Sequence, residues 1–374
     1  MAAIAMLIGL YLALLTISLL YRRTCLKNLD IALRFSQHAA TEGDEMQLIE
    51  VLTNAKWLPL PFVAVKFQIS RHLRFPQDGN RISDENYRND LYHILMQQRR
   101  TRRLPFVCTQ RGYFPIRDLT LTGYDILMGK KHVQAFPCDE VLTVYPAPLD
   151  LPEIDALYNR LHGHFQSLRR INPDPFTFRG IREYSPHDPI KAVNFKASAK
   201  SQELMVNLWD FTVSRRVVLL FNLQAYSRDA DVLLDEFAIR VVATLAQRLA
   251  DADVPVSFYT NGIGVVSGTA MTLPEGCGVK QFNYIQEALA HINLDMPVTE
   301  RFTSALMRMF AQHASEPEYW IVSTNHDQDL MEAVLQIESQ GARVAWILPH
   351  SQGMFMNTHA FKLDARLQDR VFFV

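Results

Sequence analysis

From about residue 30 to residue 145, apolar and polar side chains alternate with a period of two. "MQLIEVLTNAKW" and "PFVAVKFQIS" each carry the alternation of a half-buried strand, and Pro59 and Pro61 stiffen the loop between them. "RRLPFVCTQRGYFPI" and "DEVLTVYP" repeat the pattern, which predicts an all-β sandwich over residues 24–147. Within it no long helical period stands out, although "YRNDLYHILMQQRR" is compatible with a short helix.

After "YPAP" the period changes. Ile154, Leu157, Leu161, Phe165 and Leu168 recur at helical spacing and predict an amphipathic helix at the head of a linker, residues 148–213. "RRVVLLFNL" is a continuous apolar run, the pattern of a strand buried on both faces. Leu234, Phe237, Val241, Leu245 and Leu249 then lie along one face of a long helix. "VPVSFYTNG", "YWIVSTN" and "ARVAWILP" read as further strands, with "DQDLMEAVLQIESQG" a helix closed at Gly341. This alternation predicts a doubly wound α/β domain over residues 214–374.

The N-terminal stretch "AAIAMLIGLYLALLTISLLY" is apolar over residues 2–21, enough to cross a bilayer core as a helix. No Lys or Arg precedes it, whereas Arg22, Arg23 and Lys27 follow. The pattern predicts an uncleaved anchor over residues 1–23, a single-pass protein of the bacterial inner membrane, and a cytoplasmic remainder.

Charge narrows the chemistry. Thirty-eight Lys and Arg against 39 Asp and Glu leave a net charge of -1, which argues against a nucleic-acid-binding protein. Cys25, Cys108, Cys138 and Cys277 are scattered, without zinc-ligand spacing or a disulfide framework. The histidines show no HExxH spacing, and neither a GxSxG elbow nor a GxxxxGKS phosphate loop is present. "NGIGVVSG" reads as a hairpin. No catalytic residues, cofactor or metal site are expected.

One stretch stands apart: "RGIREYSPHDPIKAVNFKASAK", residues 179–200, with five basic and two acidic residues. Pro186 and Pro189 would fix a turn, with Asp188 accepting hydrogen bonds from the backbone or from Arg182. The acids fall in its first half and Lys191, Lys196 and Lys200 in its second. "AVNFKASA" is compatible with a strand or a short helix. As a strand it would place Lys191, Val193, Phe195 and Ala197 on one face, with Lys196 and Lys200 opposite. The expectation is a structural junction first and a docking edge for acidic partner residues second.

These residues resemble the signature of the bacterial domain-of-unknown-function 58 family, R-x-Y-x-P-G-D-x-x-R-x-I-x-W-x-x-S-A-R. Arg182, Tyr184, Pro186, Asp188, Ser198 and Ala199 match it, with Lys191, Val193, Phe195 and Lys200 as replacements in kind. His187 stands at the family's glycine, and "EGDEMQLIEVLTNAKWLPLP" and "TQRGYFPIRDLTLTGYD" are similar to its N-terminal β region. The chain is identified on these residues as a divergent member. The resemblance implies a von Willebrand factor A-like C-terminal domain, whose metal motif D-x-S-x-S is here replaced by Asn222, Gln224 and Tyr226. With the carboxylate gone, no metal is expected; Asp229 and Asp327 are read as helix N-caps.

The resemblance also implies partnership with a MoxR-type AAA+ ATPase and with transglutaminase-like membrane proteins. The expected function is therefore a membrane-anchored, non-enzymatic adaptor in a chaperone-like complex. The alternative is an envelope-associated hydrolase or transferase centred on Tyr184, His187 and Asp188.

Overall fold

The structure is a computed structural model. It describes residues 24–76, 87–124, 131–169, 178–186, 188–209, 216–224, 232–298, 300–313, 317–325, 327–349 and 371–373. Ile4, Met6, Ile8, Gly9, Leu12, Thr16 and Tyr21 are also described. The chain divides into two compact units: Met1–Ala147 with Gln286–Asn293, and Pro148–Ile285 with Leu294–Val374.

The first unit is built of strands β1 (Leu29–Phe35), β2 (Ala39–Thr41), β3 (Glu45–Asn54), β4 (Leu60–Gln68), β5 (Leu73–Arg74), β6 (Tyr87–Ile94), β7 (Gln98–Cys108), β8 (Gly112–Pro115), β9 (Arg117–Tyr124), β10 (Lys131–Ala135) and β11 (Val141–Tyr145). They form sheets ordered β1-β3-β7-β5, β10-β9-β4-β6 and β2-β11-β8. Period-two burial makes this arrangement possible. Leu48 and Leu52 of β3, Leu104 and Phe106 of β7, Val63, Val65 and Phe67 of β4, and Leu119 and Leu121 of β9 meet in one core. Phe106 anchors it, edge-on to Phe35 at 5.8 Å and tilted on Phe75 at 5.1 Å.

The short helix considered at "YRNDLYHILMQQRR" is corrected to strand β6, a turn and the start of β7, which belong to different sheets. Two of the inward positions of β6, Arg88 and Asp90, are polar, which disguised the alternation. Arg88 and Asp90 are both buried, joined Nε to Oδ2 at 2.5 Å, and Arg102 Nη1 adds a contact to Asp90 at 3.2 Å. Buried Glu50 of β3 accepts from the hydroxyl of Tyr92 through Oε2, while its Oε1 has no hydrogen-bond partner among the described residues. Burial, then the neighbouring Asp90 charge, pushes the Glu50 carboxyl up to about 8, against the pull of Arg88 and Arg102.

The expected membrane-spanning helix is likewise corrected: among the described residues no helix is long and apolar enough to cross a membrane. The single-pass inner-membrane placement that rested on it loses its support. Most of residues 2–21 lie outside the described residues, though those described are helical. The end of the segment is built into the β unit. Tyr21 and Cys25 are buried in its core, and the Tyr21 hydroxyl donates to the Pro59 carbonyl at 2.7 Å. Lys56 Nζ donates to the carbonyls of Thr24 and Lys27, at 3.0 Å each, and to that of Cys25. A cation is thus placed against the negative, C-terminal end of this helical segment.

The second unit opens with α1 (Pro152–Arg169), with Pro152 at its first position and Ile154, Leu157 and Leu161 fully buried. Next come β12 (Phe178–Glu183), a 3-10 turn (Ile190–Ala192), α2 (Phe195–Ser201) and β13 (Met205–Trp209). They are followed by β14 (Val217–Asn222), α3 (Val232–Asp251), β15 (Val256–Gly264), β16 (Ala270–Gly276), α4 (Gly278–His291), of which the end from Gln286 counts with the first unit as does the two-residue β17 (Ile292–Asn293), and then α5 (Phe302–His313), β18 (Glu318–Ser323), α6 (Gln328–Ser339), β19 (Arg343–Leu348) and β20 (Val371–Phe373). The large sheet runs β16-β15-β14-β18-β19-β20, and every residue of β14, β15 and β18 is buried. On one face α5 and α6 pack Phe302, Leu306, Val334 and Ile337 against Tyr319, Ile321, Val344 and Trp346. Tyr158 of α1 meets Trp320, the neighbour of opposite parity, at 6.2 Å.

This corrects the expected fold class. Strand residues outnumber helical ones over the described chain, and the sheet is mixed rather than wound throughout by β–α–β crossovers. β16 pairs antiparallel with β15, because "NGIGVVSG" returns the chain in a hairpin. The Gly268 amide bonds the Gly264 carbonyl at 2.8 Å, and Gly268 takes φ +65°, which a β-branched residue would resist.

Candidate functional site

The stretch at 179–200 is a small module of the second unit. β12 and β13 pair antiparallel, with Arg182 opposite Val206 and Glu183 opposite Met205. At the end of β12 the chain turns through Tyr184, Ser185 and Pro186 to Asp188, where two bonds close the turn. The Asp188 amide donates to the Ser185 carbonyl at 2.8 Å, and the Ser185 amide donates to Asp188 Oδ2 at 2.8 Å. Arg182 grips the same carboxylate with both terminal nitrogens, at 2.6 and 2.5 Å. That hydrogen-bonded carboxylate raises the Arg182 pKa above its ordinary value.

The rest of the module hangs on β13. Asn194 caps α2, its Oδ1 accepting from the Ala197 amide at 3.0 Å while its Nδ2 donates to Asn207 Oδ1 at 2.7 Å. The Asn194 amide donates to the Met205 carbonyl at 2.8 Å, and the Met205 amide donates to Ser198 Oγ at 2.8 Å. Gln202 ends the helix in the left-handed conformation at φ 63°, its amide bonded to the Ser198 carbonyl. "FKASAKS" is therefore a seven-residue helix, so the strand-like parity of Lys191, Val193, Phe195 and Ala197 does not hold. Lys196 and Lys200, four residues apart, share a helical face.

Each predicted residue has a place in this module. Arg182 is exposed but paired, Tyr184 is half-buried with its amide on the Leu204 carbonyl at 2.8 Å, and Pro186 lies at the surface. Lys191, Phe195, Lys196 and Lys200 are all exposed. Asp188 is drawn into the turn rather than left free as a general base, which removes the support for an active centre with Tyr184; His187 lies outside the described residues. Asn194, Asn207 and Ile190 were missed. The signal for Asn194 was present, since Asn immediately before a candidate first turn is a cap pattern.

A second polar region lies at the C-terminal ends of β14 and β18, where open parallel sheets place ligands. Asn222 Oδ1 accepts from the Gln224 amide and from Asn261 Nδ2, both at 2.9 Å, and its Nδ2 donates to Ser323 Oγ at 3.0 Å. Both oxygen lone pairs of Asn222 are thereby used. Gln224 Oε1 accepts from the Phe302 amide at 3.4 Å, while Tyr226 and Asp229 lie outside the described residues. A hard cation requires available oxygen ligands, and these amides do not offer them. Asp327 occupies the N-cap position of α6 without a side-chain cap bond; its Oδ2 instead accepts from Asn325 Nδ2 at 2.9 Å. The adjoining pocket of about 120 Å³ is walled by Asn222, Gln224, Arg301, Thr303, Asp327 and Asp329, a mixture of amide and both signs of charge. Among the described residues no group of three or more His, Cys, Asp or Glu is placed to hold a metal ion.

No family model and no curated protein sequence matches the chain. It is similar to solved structures at low identity. One is the CARDB domain of a Pyrococcus furiosus protein in complex with di-metal ions, 12% identical, covering 32% of this chain and 94% of that one at a TM-score of 0.21. A cohesin module from a Clostridium perfringens family 33 glycoside hydrolase is 8% identical, with 32% and 97% coverage and a TM-score of 0.23. The seventh ScaB type I cohesin of Pseudobacteroides cellulosolvens is 16% identical, with 32% and 96% coverage and a TM-score of 0.22.

Proposed function

We propose that the chain is a non-enzymatic adaptor that binds the acidic surface of a partner protein through the face carrying Lys191, Lys196 and Lys200. The observation that supports this reading is the separation of charge within the module. Asp188 and Arg182 neutralise each other in the turn. The three lysines stand exposed beyond it, with no acidic residue from Pro189 to Gln202. A one-signed patch of this kind steers association and selects partners more than it adds affinity. The resemblance at 179–200 directs the proposal to a MoxR-type AAA+ ATPase as the partner, with transglutaminase-like proteins as further members of the complex.

Co-purification tests it. Lys196→Glu combined with Lys200→Glu leaves the thermal midpoint within about 1 °C, as for exposed changes. It removes most of the co-purifying ATPase, and binding by the unaltered chain weakens as salt rises. Full retention of the ATPase by the folded double variant would sink the proposal.

A further inference from the structure

Two large apolar side chains next to these lysines in sequence are the most exposed of the module. Ile190 in the 3-10 turn is 74% exposed, and Phe195 at the first position of α2 is 72% exposed. Neither the turn nor α2 contains a buried residue. The inward side of the module is filled instead by half-buried Val193 and Ala197, and by the hydrogen-bonding groups of Asn194 and Ser198. Ile190 and Phe195 are thus not the module's own packing residues.

We infer that Ile190 and Phe195 are the apolar anchors of the docking face, and that its occupant is a segment of another protein presenting apolar side chains bordered by Asp or Glu. This rests on the adaptor reading above and adds the chemistry of the partner. Three details favour such an occupant. Lys191 and Lys196 adjoin the anchors in sequence and Lys200 follows on α2, with no acid from Pro189 to Gln202, so bordering carboxylates complement them. A second copy of the chain is disfavoured, because a twofold contact would set each set of lysines against its own image. A bilayer surface is disfavoured because interfacial helices need an extended apolar face, whereas α2 has seven residues. The cap at Asn194, the left-handed residue at Gln202 and the bonds to β13 hold the anchors in place before binding, which lowers the ordering cost of association.

The test uses the full chain with the photo-crosslinking residue p-benzoylphenylalanine in place of Phe195, irradiated in cells and analysed by mass spectrometry. The expected product is a peptide of another protein attached at or beside an apolar residue that has acidic neighbours. Attachment to lipid, to nucleic acid, to a second copy or to a peptide without acidic neighbours overturns the inference, as does no attachment. A synthetic copy of the recovered peptide then binds the unaltered chain at least about tenfold more tightly than it binds Phe195→Ser or Ile190→Ser, as for truncated interface anchors. Phe195→Leu recovers most of the loss, and all three variants keep the thermal midpoint. Equal affinities overturn the inference. The two readings fail separately. If the double charge reversal releases the ATPase but Phe195→Ser does not, the adaptor reading stands and the anchors fall. If neither variant changes co-purification, both fall.

Discussion

Arg182 and Asp188 meet fork to fork, Nη1 to Oδ2 at 2.6 Å and Nη2 to Oδ1 at 2.5 Å, six residues apart across a proline-bounded turn. The same carboxylate holds the Ser185 amide, so the two ends of this contact are not equivalent. Asp188→Ala frees a backbone donor as well as the guanidinium, and its expected cost is about 1 kcal/mol. Arg182→Ala leaves the Ser185 bond in place and costs less, since water screens an exposed ion pair. Denaturant unfolding of the two variants ranks them. The reverse order would show that the arginine, not the aspartate, organises the turn.

Glu50 makes the stability of the first unit depend on pH. A carboxyl whose folded pKa exceeds its unfolded value near 4.5 binds its proton more tightly in the fold. Its contribution is therefore whole below about 4.5 and is lost as the pH rises to about 8, by up to about 1 kcal/mol per pH unit. Glu50→Gln keeps a neutral group beside Tyr92 and removes this slope. Urea midpoints at pH 5 and pH 8 are expected to differ more for the unaltered chain than for the variant. Parallel pH profiles would contradict the assignment.

Lys56→Met removes the cation from the carbonyls of Thr24, Cys25 and Lys27 while keeping most of the aliphatic stem. Half-exposure of the ammonium reduces the expected loss to about 1 kcal/mol. Faster tryptic cleavage after Lys27 is the sensitive readout. An unchanged cleavage rate would mean that Tyr21 and Cys25 hold this segment without the lysine.

Asn222→Asp places a carboxylate in a fully buried amide network. Asp retains the acceptor for the Gln224 and Asn261 groups but loses the donor to Ser323, and it brings a buried charge. The expected destabilisation is about 1–3 kcal/mol at pH 7 and shrinks as the pH falls and the acid is neutralised. In the unaltered chain, magnesium and EDTA are expected to give the same melting temperature. A saturable rise with magnesium would reveal a folded-state metal site.

Legibility in the sequence tracked how far each signal was local. The strand β1 shows in the letters because its inward Leu29, Ile31, Leu33 and Phe35 are apolar, and β3 because its inward Met46, Leu48 and Leu52 are. β6 does not, because Arg88 and Asp90 point inward as a matched pair, and a polar letter carries no mark of being buried. In the signature stretch, an aspartate between prolines pointed to a turn, but α2 is a single short helix whose direction depends on β13, a partner some ten residues away. Periodicity alone could not choose between helix and strand there. The apolar N-terminal run was read as an anchor from its length; what meets its far end is Lys56 and Pro59, and no local pattern reports a contact of that range.

The way Lys56 and Pro59 receive Tyr21, Thr24, Cys25 and Lys27 has a mechanical consequence. Tyr21 and residues 24–27 are bonded directly to the β3–β4 loop and to the core beneath it. Tension on this leading segment passes into that loop through several bonds and buried side chains, loaded together rather than one after another. The sandwich is thereby the footing that takes the strain, and yielding would begin at that loop before any strand of the sheets is drawn apart.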